Sequence, residues 1–175
     1  MGQLSSQQFP QDKGLLWSYR LDGQGGGLQQ DRMGDADKDT PAFDWFHLRS
    51  DESDSVAWMR AKKLDPQIIE VISQSETRPR MALIEGGVLI NLRGVNKNPG
   101  ADLEDMIAIR IWFNQDTIIT ARKKERVLLS VEDVRKCIHK GTGPKTPAEF
   151  VCMLIEYMAN RIGDVVDEID ETLTQ

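Results

Sequence analysis

The segment from Arg78 to Lys124 constrains the fold of this chain more than any other part of it. It reads RPRMALIEGGVLINLRGVNKNPGADLEDMIAIRIWFNQDTIITARKK. Two apolar runs, 81–85 and 88–93, flank Gly86-Gly87, and this spacing predicts a β-hairpin. Short apolar runs separated by turn residues are typical of strands, so we expect this segment to form the core of a sheet.

The second half of the segment predicts two further strands. Isoleucines alternate along 105–113 with Met, Ala, Arg and Trp, so both faces of this strand carry large side chains. We expect such a strand to be central and covered on both sides. A turn at 114–116 leads into a strand at 117–122. Three successive hairpin-like connections predict a largely antiparallel sheet.

The region before this segment predicts more strands and two helices. Alternating apolar residues predict strands at 15–21 and 43–48, and the residues between them, 29–42, are predicted to be an exposed loop. The first helix ends near Lys63. The second begins with Asp65 as N-cap, followed directly by a proline at the first helical position.

The last third of the chain is predicted to be helical. Ser130 with Asp133 forms a box-like helix start, and Gly141 ends that helix. Thr146, with Glu149 three residues later, has the form of a capping box. Helical periodicity then continues to the end of the sequence, over about 30 residues. Because no Gly or Pro stops it, we expect this helix to continue in a longer protein.

Composition limits the class of protein and its partners. The 175 residues suit one domain, and 39% hydrophobic with 29% charged residues is a globular composition. A formal net charge of −6 repels phosphate backbones, so we expect no nucleic-acid partner. The two cysteines form no CxxC pair, which favours a reducing compartment. The sequence contains no run of about 18 apolar residues, so we expect the chain itself not to cross a bilayer.

Four carboxylates on the last helix are the strongest candidates for binding a cation. Asp164, Asp167, Glu168 and Glu171 follow helical spacing and share a face opposite an apolar stripe. Hard divalent cations need several carboxylate oxygens, so this acidic face predicts a cation site. The alternative is an ordinary solvated face of an amphipathic helix.

Cys137 and His139 are the candidates for a zinc site, because zinc favours thiolate and imidazole. Positions i and i+2 of a helix point to different faces, so a site would need further ligands from elsewhere. His47 is predicted to be a core or edge residue. With only these two histidines and no Ser-centred elbow, the sequence does not predict an enzyme.

Several motifs in order resemble the cytosolic domain of the CorA-type divalent-cation transporters, most closely the ZntB zinc-transporter branch. LLWSYRLDGQGG is similar to the family's opening strand and glycine turn, and FDWFHLRSDESDSVAWM to its Trp-x-His-Leu strand and the helix behind it. The most specific parts are SETRPRMALIEGGVLINLRGVN and DMIAIRIWFNQDTIITARKKE. GTGPKTPAEFV is similar to the ZntB version of the entry to the stalk helix.

The resemblance implies an α+β fold, an α-β-α sandwich whose mixed, largely antiparallel sheet lies between helical layers. It implies a flexible N-terminus over 1–13, a funnel domain over 14–145 and the start of a long stalk helix over 146–175. The family assembles as homopentamers and moves divalent cations through a pore built by two C-terminal transmembrane helices. Those helices and the Gly-Met-Asn pore signature are absent from this sequence.

We therefore expect the cytosolic domain of a zinc transporter at the cytoplasmic face of a bacterial inner membrane. Its expected contributions are oligomerisation, attraction or sensing of divalent cations, and gating through the stalk helix. No cofactor is required, although a zinc or magnesium ion is an expected ligand. The alternative is a stand-alone soluble module for oligomerisation or ligand sensing.

Overall fold

The computed structural model describes residues 14–30, 42–74, 78–102, 105–123 and 126–174. Seven strands and four helices occur in these ranges. In chain order they are β1 Leu15–Leu21, β2 Gly27–Gln29, β3 Phe43–Arg49, α1 Ser53–Ala61, α2 Pro66–Ser73, β4 Arg80–Ile84, β5 Gly87–Gly94, β6 Ile107–Phe113, β7 Thr117–Arg122, α3 Leu129–His139 and α4 Pro147–Leu173.

The seven strands form one sheet in the order β2-β1-β3-β7-β6-β5-β4. Every neighbouring pair is antiparallel except β3 and β7, which run parallel from Asp44 opposite Thr117 to Arg49 opposite Arg122. The sheet thus consists of two antiparallel units, β2-β1-β3 and the meander β4-β5-β6-β7, joined along one parallel seam. The prediction of a mixed, largely antiparallel sheet is confirmed.

Helices cover both faces of the sheet and define two cores. The α3/α4 core contains Trp45, Phe150 and Leu154, and the α1/α2 core contains Met59, Ile72 and Trp112. Strand β6 contributes its isoleucines to the first core and Trp112 to the second, which confirms that it is covered on both sides. The sandwich architecture with a long last helix is confirmed.

Two of the predicted helix starts form as expected. The Asp65 carboxylate accepts a hydrogen bond from the Gln67 backbone N–H at 2.8 Å. The Thr146 hydroxyl accepts from the Glu149 backbone N–H at 3.1 Å. The Glu149 side chain, however, accepts from the backbone N–H of Lys145, one residue before the cap. Both side chains satisfy amide groups that a helix start would otherwise leave unpaired.

The box-like start at Ser130 and Asp133 is wrong. The N-cap of helix α3 lies two residues earlier, at Leu128, and no side chain caps the helix. The Asp133 side chain instead accepts two hydrogen bonds from Arg161 of α4, so it does not cap the helix. The predicted stop at Gly141 is confirmed, because this residue takes a φ of 74° directly after the C-cap, a conformation that glycine adopts without strain.

The hairpin and the predicted loop also differ in detail from the sequence reading. The hairpin turn is Glu85-Gly86, with φ of 50° and 71°, and Gly87 belongs to β5. A Cβ on Gly87 would lie 2.6 Å from the Trp112 ring and 2.6 Å from the Phe113 carbonyl oxygen, so the strand requires glycine there. Residues 27–29, partly assigned to a loop, form the short edge strand β2. Residues 1–13 and 31–41 lie outside the described residues.

Candidate functional site

Helix α4 carries four of the six predicted site residues, and its first half is firmly attached to the sheet. Its 27 residues give a length of about 40 Å. Phe150 and Leu154 are fully buried, and the Phe150 ring lies 4.7 Å from that of Trp45, centroid to centroid. These buried contacts with the sheet fix the orientation of the first half of α4.

From Ile155 onward, and mainly in its second half, α4 leaves much of its apolar side uncovered. Five side chains of the predicted apolar stripe are exposed by 40% or more, namely Ile155 (42%), Ile162 (40%), Val166 (57%), Ile169 (43%) and Leu173 (79%). We call this set the exposed stripe. Val165 is the single buried hydrophobic residue after Met158 on this helix. A helix whose apolar side is uncovered in one chain is typical of a surface that meets a further helix or subunit.

The acidic face lies on the same exposed half of the helix. Asp164, Asp167, Glu168 and Glu171 are all exposed to solvent. One of them is engaged, because Lys97 Nζ lies 3.1 Å from Glu168 Oε1. That pair joins the loop after β5 to α4. The carboxylates are therefore placed as the sequence predicts, on one face opposite the exposed stripe.

A single chain does not bring these carboxylates together around one point. Within the ranges that the structure describes, no three His, Cys, Asp or Glu side chains are grouped so that they could hold a metal ion. Exposed carboxylates on a helix face produce a diffuse negative field, which attracts cations without fixing a coordination geometry.

Cys137 and His139 point to different neighbours, as their i, i+2 spacing requires. The Cys137 thiol lies 3.0 Å from the Tyr157 hydroxyl on α4, and this hydrogen bond is the main reason that the pKa of Tyr157 is raised. On the other side, Arg135 Nε donates to the Tyr19 hydroxyl at 3.1 Å. The Tyr19 hydroxyl in turn lies 2.8 Å from His139 Nε2, so that nitrogen is already engaged in a hydrogen bond.

A group of aromatic and cationic side chains around His47 was not predicted beyond the placement of His47 itself. His47 is fully buried, stacks on Trp17 at 4.3 Å, and its Nδ1 lies 2.6 Å from the Thr120 hydroxyl. The Arg135 guanidinium lies 4.2 Å above the Trp17 ring. Burial, and after it repulsion from Arg122 and Arg135, holds the pKa of His47 well below its usual range. The alternation of Trp17, Tyr19, Trp45 and His47 along two paired strands was the available signal.

Comparisons with known proteins agree on one family. A family model described as "CorA-like Mg2+ transporter protein" matches residues 41–175. The divalent cation transporter CmaX of Pseudomonas aeruginosa is 32% identical over 166 residues, which cover 93% of this chain and 49% of that protein. The zinc transport protein ZntB of Yersinia enterocolitica is 25% identical over 161 residues, 90% of this chain and 47% of that protein.

Solved structures show the same fold. The structure of full-length CmaX superposes with a TM-score of 0.86 at 30% identity and covers 94% of this chain, which spans 51% of that one. The cytoplasmic domain of ZntB from Vibrio parahaemolyticus superposes with a TM-score of 0.78 at 23% identity, covering 92% of this chain and 64% of that domain. The second likeness concerns the fold alone.

The sandwich with its long last helix is thus the same fold as that of the ZntB cytoplasmic domain. The chain belongs to the family of CorA-like Mg2+ transporter proteins. It spans about half the length of the curated relatives that it matches. Among its described residues, no helix combines the length and apolar character needed to cross a membrane.

Proposed function

We propose that this chain is the cytosolic domain of a CorA-family divalent-cation transporter, with zinc as the cation moved. The observation that carries the proposal is the family match over residues 41–175, together with a relative described as a divalent cation transporter that matches 93% of the chain. Relatives described as zinc transport proteins favour zinc over magnesium. The domain lies on the cytoplasmic face of a bacterial inner membrane and is attached by membrane helices elsewhere in the protein.

Helix α4 would serve as the mechanical link in this domain. Its first half is held by the α3/α4 core, and its second half extends with both an acidic face and the exposed stripe. A rigid helix anchored at one end transmits a change in subunit packing over its whole length. Cation occupancy near the acidic face would shift that packing, because binding favours whichever arrangement brings carboxylates together.

Self-association would use the exposed stripe. Apolar side chains on one side of a helix are stabilised when they meet the same surface of another copy. We propose a homopentamer in the full-length protein. Light scattering tests it: the detergent-solubilised full-length protein is expected at five times its monomer mass. A monomer or dimer at every concentration contradicts this oligomer without affecting the family assignment.

The transport proposal is tested first by the reading frame and then by flux. Downstream codons are expected to encode two apolar segments of about 20 residues each. The full-length product in vesicles containing a zinc-sensitive dye is expected to admit zinc. A reading frame that ends at Gln175 without such segments would favour a stand-alone oligomerisation or sensing module. Flux of magnesium but not zinc would correct the choice of cation.

Cation attraction by the acidic face is a separate claim with its own experiment. Zinc and magnesium binding to the 175-residue chain is measured by calorimetry. The test variant replaces the four carboxylates by amides (Asp164→Asn, Asp167→Asn, Glu168→Gln, Glu171→Gln). A control matched in charge replaces four other exposed carboxylates (Asp54→Asn, Glu70→Gln, Glu156→Gln, Asp170→Asn). Binding is expected to be lost only in the test variant, and equal binding by both variants contradicts the claim.

A further inference from the structure

A buried arginine on the sheet face that carries α1 and α2 has no acidic partner among the described residues. Arg110 lies at the middle of β6 and is 1% exposed. Its Nη1 donates to the Ser50 hydroxyl at 3.3 Å and its Nη2 to the Gln74 backbone carbonyl, just beyond α2. No ion pair of the described residues includes Arg110. Among the described residues, its positive charge is therefore contacted by neutral oxygens only.

Buried polar atoms without hydrogen-bond partners occur on this arginine, on its register partner and on the residue before Gln74. Arg110 Nε has no hydrogen-bond partner, and neither do Asn91 Oδ1 and Ser73 Oγ within the described part of the chain. Asn91 is 3% exposed and lies directly opposite Arg110 in the sheet register. Directly paired residues of antiparallel strands point to the same face, so the two side chains are neighbours. Buried polar atoms without partners are rare in native proteins and indicate a missing ligand or water.

The row of polar residues continues to the open edge of the sheet. Arg80 on β4 is the register partner of Asn91, so Arg80, Asn91 and Arg110 cross three strands on one face. Leu89 and Trp112, each two residues along the same strands, belong to the α1/α2 core and identify that face. Strand β4 is the sheet edge, and Arg80 is exposed, so the row is open to solvent at this end. Arg80 also makes no ion pair with a described residue.

We propose that Arg110, Asn91 and Arg80 form a binding site for a small carboxylate anion, on the sheet face that carries α1 and α2. The planar carboxylate of the ligand accepts hydrogen bonds from Arg110 Nε and from the Arg80 guanidinium. Arginine side chains provide such planar donor geometry for carboxylates. A rotation of the Asn91 amide presents its NH₂ as a third donor. A single negative charge matches the one buried cation, whereas a phosphate dianion would leave excess buried charge. This site is independent of the acidic face on α4 and of cation transport.

The site is tested with acetate as the probe on the 175-residue chain. Side-chain Nε–Hε signals of arginine are followed by nuclear magnetic resonance, with sodium chloride at the same ionic strength as the reference titration. The Arg110 signal is expected to shift saturably with acetate. In Arg80→Gln the affinity is expected to fall by about fivefold or more, since one charge-assisted hydrogen bond is lost. Arg60→Gln removes an exposed arginine of α1 and is expected to bind as the unaltered chain does.

Three results would overturn the site. These are an Arg110 signal that acetate does not move, a shift that chloride reproduces at equal ionic strength, and equal acetate affinity in Arg80→Gln and the unaltered chain. Arg110→Lys is the second variant, because it keeps the charge but lacks the Nε donor. It is expected to lose saturable acetate binding as followed by calorimetry, while its circular dichroism spectrum reports whether it is folded. Saturable binding by folded Arg110→Lys equal to that of the unaltered chain also contradicts the proposal.

Discussion

The two halves of α4 share a sequence pattern but not an environment. In the first half, Phe150 and Leu154 are fully buried against the sheet. In the second half, Val166 and Ile169 are about half exposed. The apolar stripe is continuous in sequence, while the surface that covers it ends partway. A hydrophobic pattern therefore reports that a face will be buried, but not whether the same chain buries it.

The largest expected difference between the halves is in stability. Phe150→Ala is expected to lower the free energy of unfolding by about 3–5 kcal/mol, because it leaves a cavity against Trp45. Ile169→Ala is expected to change it by less than about 0.5 kcal/mol in the dilute monomer. Urea unfolding at low protein concentration measures both. If Ile169→Ala is as harmful as Phe150→Ala under these conditions, the two halves are not distinct.

A pH experiment examines the core beneath the packed half. His47 stacks on Trp17, which packs against the same core as Phe150. Because the pKa of His47 is depressed in the folded state, the unfolded chain binds a proton below about pH 6.5 that the folded chain does not. The free energy of unfolding is therefore unaffected by this group above about pH 6.5. It falls as the pH drops below that value, by up to about 1.4 kcal/mol per pH unit.

Comparison of His47→Gln with the unaltered chain isolates this effect. Urea unfolding is measured near pH 7.5 and near pH 5.5, a window chosen around the histidine pKa of about 6.5 in unfolded chains. The variant is expected to lose less stability over this interval than the unaltered chain. Equal losses in both would show that His47 is not the group responsible. The exposed stripe of α4 has no part in this titration.

The smallest expected differences concern the two ion pairs that tie α4 to its neighbours. Arg161 donates to Asp133 at 3.0 and 2.7 Å from a partly buried position, so Asp133→Asn is expected to lower stability by about 1 kcal/mol. Glu168 is far more exposed than Asp133, 59% against 17% of the side chain, and Lys97→Gln is expected to lower stability by less than about 0.5 kcal/mol. Hydrogen exchange along α4 reports where each change acts. A larger loss from Lys97→Gln would mean that the second half is held to the domain.

Local signals in the sequence predicted the elements well, because caps and alternation act over a few residues. The starts at Asp65 and Thr146 and the two-faced strand β6 are such cases. The short strand β2 could not be recognised, since three residues within a glycine-rich stretch carry no alternation. The misplaced start at Ser130 shows the limit of motifs, because Asp133 is engaged by Arg161 on a distant helix.

The sequence predicted on which helix face each candidate site residue lies. It did not predict whether enough ligands meet to form a site. Helical spacing placed Asp164, Asp167, Glu168 and Glu171 on one face, and i, i+2 spacing separated Cys137 from His139. Whether carboxylates of several subunits meet depends on assembly, which helical spacing does not encode. Arg110 gave no signal, because one arginine in an apolar strand has a meaning only once its neighbours across the sheet are known.

The parallel seam between β3 and β7 has a consequence for how the chain folds. Within each antiparallel unit, strands that follow one another closely can pair early, but Asp44 meets Thr117 only after the chain between them has been brought back. The entropy of closing that long loop is lost before any contact of the seam forms, so we expect the seam to set the folding rate. Stopped-flow kinetics of Ile119→Val, in the seam, and Ile90→Val, in the hairpin, would show which change slows folding. Pairing of β3 with β7 would then unite two preformed sheets. Only after this step would the sheet face that packs against α4 be complete.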